Sequence, residues 1–240
     1  MDAAELSPRF LLFGGSGAVG SAIRSCAQEQ GWDVISTTRK ALPTGGTGNR
    51  WIIVDPAAAG FNPAIFDENG PYDAVCWAHG ANLSDNVYNV DIVQHEELYK
   101  INVVFVLITL KILLERNLLS KPARLCVISS IWQNIVRQDK MSYCITKAAL
   151  QGLVRSAAID MAKDGHLINA VLPGVLETPM TRRNLSQEQL DRVTSATPFR
   201  RLPTLESVAG LVAFLCSERN EGITGQFVEA DLGFSHARII

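Results

Sequence analysis

The stretch Phe10-Leu11-Leu12-Phe13-Gly14-Gly15-Ser16-Gly17-Ala18-Val19-Gly20 decides the fold. Its first four residues form an unbroken apolar run, the pattern of a strand buried on both faces of a parallel sheet. Glycines then supply a tight turn, and helical periodicity follows to about residue 30. Gly15, Gly17 and Gly20 carry the G-x-G-x-x-G spacing. Small residues there let backbone approach a pyrophosphate, which the unpaired N–H groups of the helix start can hold. A ligand-free turn between strand and helix also needs glycine. The spacing gains weight from standing after the first strand of a βαβ unit.

Working outward, short apolar runs alternate with helical patterns, which predicts an α/β domain around a parallel sheet. Strands are expected at residues 10–13, 33–37, 51–54, 74–77, 125–129, 167–172 and 226–229. Long helices are expected over 95–118 and 142–163, a short one at 187–193 and a last one at 206–216. The polar, arginine-rich segment 177–203 reads as an insertion bordering a substrate site. No repeat, low-complexity tract or linker divides the 240 residues, so residues 1–240 are expected to form one domain.

Composition narrows the function. Apolar residues make up 47% and charged residues 19%, a globular balance. A net charge of −2 and a pI near 6.1 offer no basic field for nucleic acid or an anionic membrane. That leaves a small-molecule partner. The longest apolar stretch, 103–114, falls short of the roughly 20 residues a membrane span needs. Five scattered cysteines (Cys26, Cys76, Cys126, Cys144, Cys216) form no C-x-x-C pair, and four histidines add no zinc spacing. No metal is expected, and reduced thiols with no secretory leader predict a cytoplasmic protein.

After the second strand come Ser36-Thr37-Thr38-Arg39-Lys40, with no acid to accept ribose hydroxyls. Two cations at this point suit a 2′-phosphate, so NADP(H) is expected over NAD(H). An Arg-Lys pair in a solvated loop is the plain alternative. Further along, Tyr143 and Lys147 stand four apart, which stacks them on one helix face. A phenol titrates near 10. A fixed ammonium beside it favours the phenolate and brings tyrosine into range as a general acid/base. An amphipathic helix carrying both residues by chance is the competing explanation.

Taken together, these motifs resemble the short-chain dehydrogenase/reductase family over nearly the whole chain. The glycine turn, Asn102 in the long helix expected at 95–118, Ser130 thirteen residues before Tyr143, the Tyr-x-x-x-Lys pair and Pro173-Gly174 come in the family's order. The resemblance implies a Rossmann-type doubly wound parallel sheet of about seven strands with helices on both faces. It implies Asn102, Ser130, Tyr143 and Lys147 as the catalytic residues. Tyr143 exchanges the proton, Ser130 positions the oxygen, Lys147 lowers the tyrosine pKa, and Asn102 anchors a water leading to Lys147. For the cofactor it implies Gly14, Ser16, Gly17, Ala18, Val19, Gly20, Thr38, Arg39, Asp55, Ala78, Gly80, Pro173, Gly174, Val175 and Thr178, with Tyr143 and Lys147. Its members pair such long helices between subunits, so a homodimer or homotetramer is expected.

The chain departs from the pattern in places. Phe13 replaces the threonine that opens the turn, and Ala18 its middle glycine. Trp77-Ala78-His79-Gly80 stands where Asn-Asn-Ala-Gly is usual, so the backbone groups those amides brace need other partners. His79 reads first as a packed, hydrogen-bonded side chain and second as a ligand contact. Leu232 replaces a glycine of the usual Asp-Gly-Gly. Trp132, Gln133 and Arg182 are the candidate substrate residues, suited to a polar or anionic substrate. The expected activity is interconversion of a carbonyl and a secondary alcohol. The alternatives are a 3-oxoacyl thioester reductase within the family and a non-catalytic NADP-binding sensor or structural subunit.

Overall fold

The computed structural model describes residues 7–39, 50–55, 58 and 60–236. Lys40, the second cation after the second strand, lies outside them. Seven strands form one parallel sheet: β1 (Arg9–Phe13), β2 (Asp33–Thr38), β3 (Arg50–Ile53), β4 (Tyr72–Trp77), β5 (Leu119–Ile128), β6 (Leu167–Pro173) and β7 (Phe227–Ala230). Their order is β3-β2-β1-β4-β5-β6-β7. The chain therefore runs outward through β1, β2 and β3, then returns to build β4 on the other side of β1. Such a reversal opens a crevice at the carboxyl ends of the strands on either side of it. Phe13 pairs in register with Trp77 at that crevice.

Seven α-helices cover the sheet among the described residues: α1 (Ala18–Glu29), α2 (Ile92–Tyr99), α3 (Phe105–Glu115), α4 (Met141–Asp160), α5 (Pro179–Asn184), α6 (Gln187–Ala196) and α7 (Leu205–Cys216). Alternate residues of each strand point to opposite faces. Leu11, Phe13, Val75, Trp77, Leu125 and Val127 accordingly join one apolar core, which includes Leu110 of α3 and Val154 of α4. Phe10, Leu12, Cys76 and Cys126 join a second, with Ile23 of α1 and Val212 of α7. No described helix is long and apolar enough to cross a membrane.

Several boundaries differ from expectation for identifiable reasons. The helix expected over 95–118 starts at Ile92, where Asp91 accepts from the backbone N–H groups of Val93 and Gln94. It is interrupted by a π-turn at Lys100–Val104 and ends at Glu115. β5 begins at Leu119 because Leu119 pairs with Tyr72, although Lys121-Pro122 interrupts the apolar run. Helix α5 was not expected. Its signal was present: Thr178 caps it by accepting from Thr181 N at 3.1 Å, and Pro179 opens it.

Candidate active site

The glycine turn after β1 has the geometry of an anion cradle. Gly14 adopts φ +80, which favours glycine, and a Cβ there would meet the His79 backbone at 2.6 Å. A Cβ on Gly20 would lie 2.1 Å from the Gly14 carbonyl oxygen, so that position excludes any side chain. Gly17 caps α1 with no side-chain hydrogen bond, and no acid stands in the first turn. The first N–H groups of α1, at Ala18, Val19 and Gly20, are thus available to an anion, and the helix dipole favours one. Ser16 and Gly17 are exposed at the mouth of the turn. Thr38 ends β2, exposed Arg39 follows it, and Asp55 stands just beyond β3.

Polar bracing of β1 against β4 is replaced by aromatic packing. The Phe13 and Trp77 rings stack at 5.6 Å and 4° between planes, and Phe66 and Phe105 meet Phe13 edge-on. Trp77 Nε1 donates to Thr109 Oγ1 at 2.8 Å, and Ala78 N donates to the Phe13 carbonyl at 2.9 Å. The Trp77 indole N–H and the Ala78 N–H are thus satisfied by a threonine and by backbone. His79 packs edge-on against Phe105 at 4.8 Å, and its Nε2 lies 3.0 Å from the Ile101 carbonyl. A carbonyl only accepts, so Nε2 carries the hydrogen, and the buried Nδ1 has no partner among the described residues. Burial pushes the ring's pKa down to about 3, which keeps it neutral.

A cavity of about 200 Å³ opens at the carboxyl ends of β4, β5 and β6. Its walls bring Ser130, Tyr143 and Lys147 together with Val19, Gly80 and Gly174. Ser130 follows β5 and caps the short helical turn Ile131–Gln133, its hydroxyl accepting from Trp132 N at 3.3 Å. Tyr143 and Lys147 lie in the first two turns of α4, and Lys147 Nζ is 5.6 Å from the tyrosine ring centroid. That Nζ also donates to the Ile128 carbonyl at 3.0 Å. Pro173 at the end of β6, with Val175 and Thr178 beyond it, forms another wall.

The start of α4 is held from outside. Its cap position, Lys140, makes no side-chain cap. Instead buried Asp85, in the loop after β4, accepts from Ser142 N at 2.9 Å and from the Ser142 hydroxyl. A carboxylate at this end also suits the helix dipole. Tyr143 is the next residue, so Asp85 fixes the turn that presents it. No sequence motif announced this pair, because its members are 57 residues apart.

Asn102 projects from the π-turn, a distortion frequent at functional sites. Its side chain accepts from Ala81 N at 2.9 Å and donates to Ala81 O at 3.1 Å and Thr146 Oγ1 at 3.0 Å. It clamps the strand leaving β4 to α4. Gly80 lies between, where a Cβ would stand 3.4 Å from Asn102 Oδ1 and 3.8 Å from Lys147 Nζ.

Three expectations need correction. Burial pushes Tyr143 up to about 12, outweighing the downward pull of the Ser130 hydrogen bond. The ammonium does not lower the phenol here, because burial also brings Lys147 down to about 8 and weakens its own charge. Gln133 is buried, accepts from the Ser129 hydroxyl at 2.6 Å and does not line the cavity, since the turn at 131–133 rotates it inward. Arg182 faces outward and pairs with Glu177. Met180, Thr181, Asn184 and Leu185 occupy the cavity face of α5 and its end instead, at helical spacing. Trp132 does line the cavity, as do Arg137 and Lys140, which were not singled out.

Comparison with known proteins places the fold and the family. A family profile described as enoyl-(acyl carrier protein) reductase matches residues 64–235. A 3-oxoacyl-[acyl-carrier-protein] reductase FabG of Buchnera aphidicola subsp. Baizongia pistaciae is 33% identical over 119 residues, 49% of this chain and 48% of that protein. The chain spans about half the length of the curated relatives it matches. A short-chain dehydrogenase family protein of Francisella tularensis superposes with a TM-score of 0.85 at 21% identity, covering 96% of this chain and 100% of the other. ElxO with NADP bound superposes at 0.84 and 22% identity, covering 95% and 99%.

Proposed function

The chain belongs to the short-chain dehydrogenase/reductase family, and on that premise we propose that it interconverts a carbonyl and a secondary alcohol with NADP(H). Residues 1–240 act as one catalytic domain in this reading. The observation that carries it is the meeting of Ser130, Tyr143 and Lys147 in one cavity, beside the glycine turn at the sheet's reversal point.

The residues present fit a nicotinamide dinucleotide. Gly14, Gly17 and Gly20 leave room for a pyrophosphate that Ala18, Val19 and Gly20 N–H groups would hold, with Ser16 at the rim. Thr38, Arg39 and Asp55 lie where the adenosine end would rest, and Arg39 is the described cation suited to a 2′-phosphate. Ala78, Gly80, Pro173, Gly174, Val175 and Thr178 would flank the nicotinamide half. When bound, this cofactor supplies hydride exchange between its nicotinamide C4 and the substrate carbon.

The chain's own residues manage the proton. In reduction, the Tyr143 hydroxyl gives its proton to the carbonyl oxygen, so one hydride and one proton convert C=O to CH–OH. The Ser130 hydroxyl donates a hydrogen bond to the same oxygen and fixes its position. Lys147, one turn along the same helix, can return a proton to the phenolate left behind. Asn102 holds Ala81 and Thr146, and with them the loop at Gly80 that lies beside Lys147. The likeness to the Buchnera enzyme supports a 3-oxoacyl thioester as the nearest rival substrate.

We also place the protein in the cytoplasm as a homodimer or homotetramer. Its five cysteines are unpaired, and Leu107, Ile108 and Ile145 leave apolar side chains exposed on α3 and α4. Sedimentation of a monomer at micromolar concentration would remove the oligomer. The test of the reaction is a carbonyl and alcohol panel with both cofactors, alongside Tyr143→Phe. Turnover that vanishes in the variant while NADP binding persists upholds the assignment. Binding of NADP by wild type with no turnover in either direction would make it a sensor instead.

A further inference from the structure

The substrate end of the cavity carries charge that the proton relay does not use. Among the described residues, Arg137, Lys140 and Lys147 line the cavity and no Asp or Glu does. Lys147 belongs to the relay. Lys140 is only 3% exposed, and its ammonium is held by neutral oxygens alone: Asn82 Oδ1 at 3.0 Å, Leu83 O at 3.2 Å, Ser84 Oγ at 2.8 Å and Asn184 Oδ1 at 3.3 Å. These ties lock the loop after β4 to the end of α5 and fix a positive charge in the wall. The acids nearest in sequence and space are engaged elsewhere. Asp85 accepts from Ser142, and Asp139 accepts from Asn86 Nδ2 at 2.7 Å.

Arg137 is half-buried three residues from Lys140, and no hydrogen bond or ion pair engages its guanidinium among the described residues. It stands where the cavity continues into a second space of about 200 Å³, walled by Trp132, Val175, Leu185 and Val193. Burial first and the Arg137 charge second push the Lys140 pKa down, against the opposing pull of Asp85 and Asp139. Asp85 and Asp139 offset part of the charge at Lys140, but no carboxylate pairs with the Arg137 guanidinium among the described residues, which leaves it open to a bound anion. The planar guanidinium fork matches a carboxylate in bidentate fashion.

We propose that Arg137, backed by Lys140, is an anion subsite that selects a compact oxo acid, binding its carboxylate while the ketone oxygen meets Tyr143 and Ser130. This rests on the reductase reading above. An anionic group could equally be a phosphate on the arm of an acyl thioester, but Arg137 lines the same cavity as Tyr143 and Ser130, which suits an acid carrying its carboxylate and ketone on one short chain.

The test compares the 2-oxo, 3-oxo and 4-oxo hexanoates with their methyl esters and with 3-oxohexanoyl-CoA, using wild type, Arg137→Gln and Arg137→Lys with NADPH. For at least one acid, kcat/KM should exceed that of its ester by about tenfold or more. Arg137→Gln should bring that ratio to about one, and Arg137→Lys should keep part of it. Esters equal to acids in all three pairs, or a ratio unchanged in Arg137→Gln, would overturn the subsite. Preference for the CoA thioester over every acid, abolished in Arg137→Gln, would overturn the carboxylate in favour of phosphate. Calorimetry of the acids and esters with NADP separates the two readings if nothing turns over. Acid-selective binding lost in Arg137→Gln would then uphold the subsite and sink the reductase, whereas no selective binding would sink the subsite.

Discussion

Lys147 Nζ lies 5.6 Å from the centroid of the Tyr143 ring, yet its hydrogen bond goes to the Ile128 carbonyl at 3.0 Å. The ammonium is therefore near the phenol without being committed to it. Burial leaves the phenol raised to about 12 in the cofactor-free protein. We expect no Tyr143 ionisation below pH 10 in that state, measured as the ultraviolet difference titration between wild type and Tyr143→Phe. Adding NADP, whose positive nicotinamide ring would lie against the cavity, should move the transition downward by one unit or more. A phenolate already present at pH 8 without cofactor would contradict this.

The same ammonium costs stability. Folded Lys147 titrates near 8 instead of 10.5 because it is buried, so between those values the unfolded chain binds more protons. Stability from this group therefore rises with pH through that window. At pH 7 the shift corresponds to roughly 3 kcal/mol, less about 1 for the lost bond to Ile128. Lys147→Met should gain about 2 kcal/mol at pH 7 by denaturant unfolding, with the gain shrinking towards pH 10 and turnover lost. A variant less stable than wild type at pH 7 would show that the Ile128 bond outweighs the burial cost.

Much of this was legible from local pattern. The strand, turn and helix around Gly14 to Gly20 share one short segment, and Tyr143 and Lys147 share one helix face, so spacing alone could pair them. What escaped was held by contacts between distant residues. The Asp85 cap on Ser142 joins a loop to a helix 57 residues on, and no periodicity records such a pair. Lys140 belongs to no motif, because only the folded loop at 82–84 and Asn184 hold it. Gln133 and Arg182 failed for a different reason. Their composition suited a polar site, but side-chain direction depends on the turn at 131–133 and on which face of α5 meets the cavity.

Leu232 adopts φ +56, the left-handed region that favours glycine, in the turn that Asp231 ties by accepting from Gly233 N at 2.8 Å and Ser235 N at 2.7 Å. A branched apolar residue there carries about 1–2 kcal/mol of backbone strain. Leu232→Gly relieves it but also loosens the unfolded chain by up to about 1 kcal/mol. A net gain of about 0.5–1 kcal/mol is expected, read as a small rise in Tm with turnover retained. A fall in Tm would mean that the half-buried leucine side chain contributes more than its backbone costs.

Arg39 is exposed at the end of β2, beside the buried Thr38 and without an acid in the position where ribose hydroxyls would be bound. A hydrogen-bonded phosphate at such a residue contributes about 1.5–3 kcal/mol in favourable settings, and exposure brings this toward the lower end. Arg39→Ala should therefore weaken NADP binding about tenfold and leave NAD binding within about twofold, measured by fluorescence titration. Because the interaction faces water, the loss should be larger at 10 mM than at 500 mM salt, conditions that set the screening length at about 30 Å and a few Å. Equal affinities for NADP and NAD in the wild type would remove the basis for the preference, whatever the variant does.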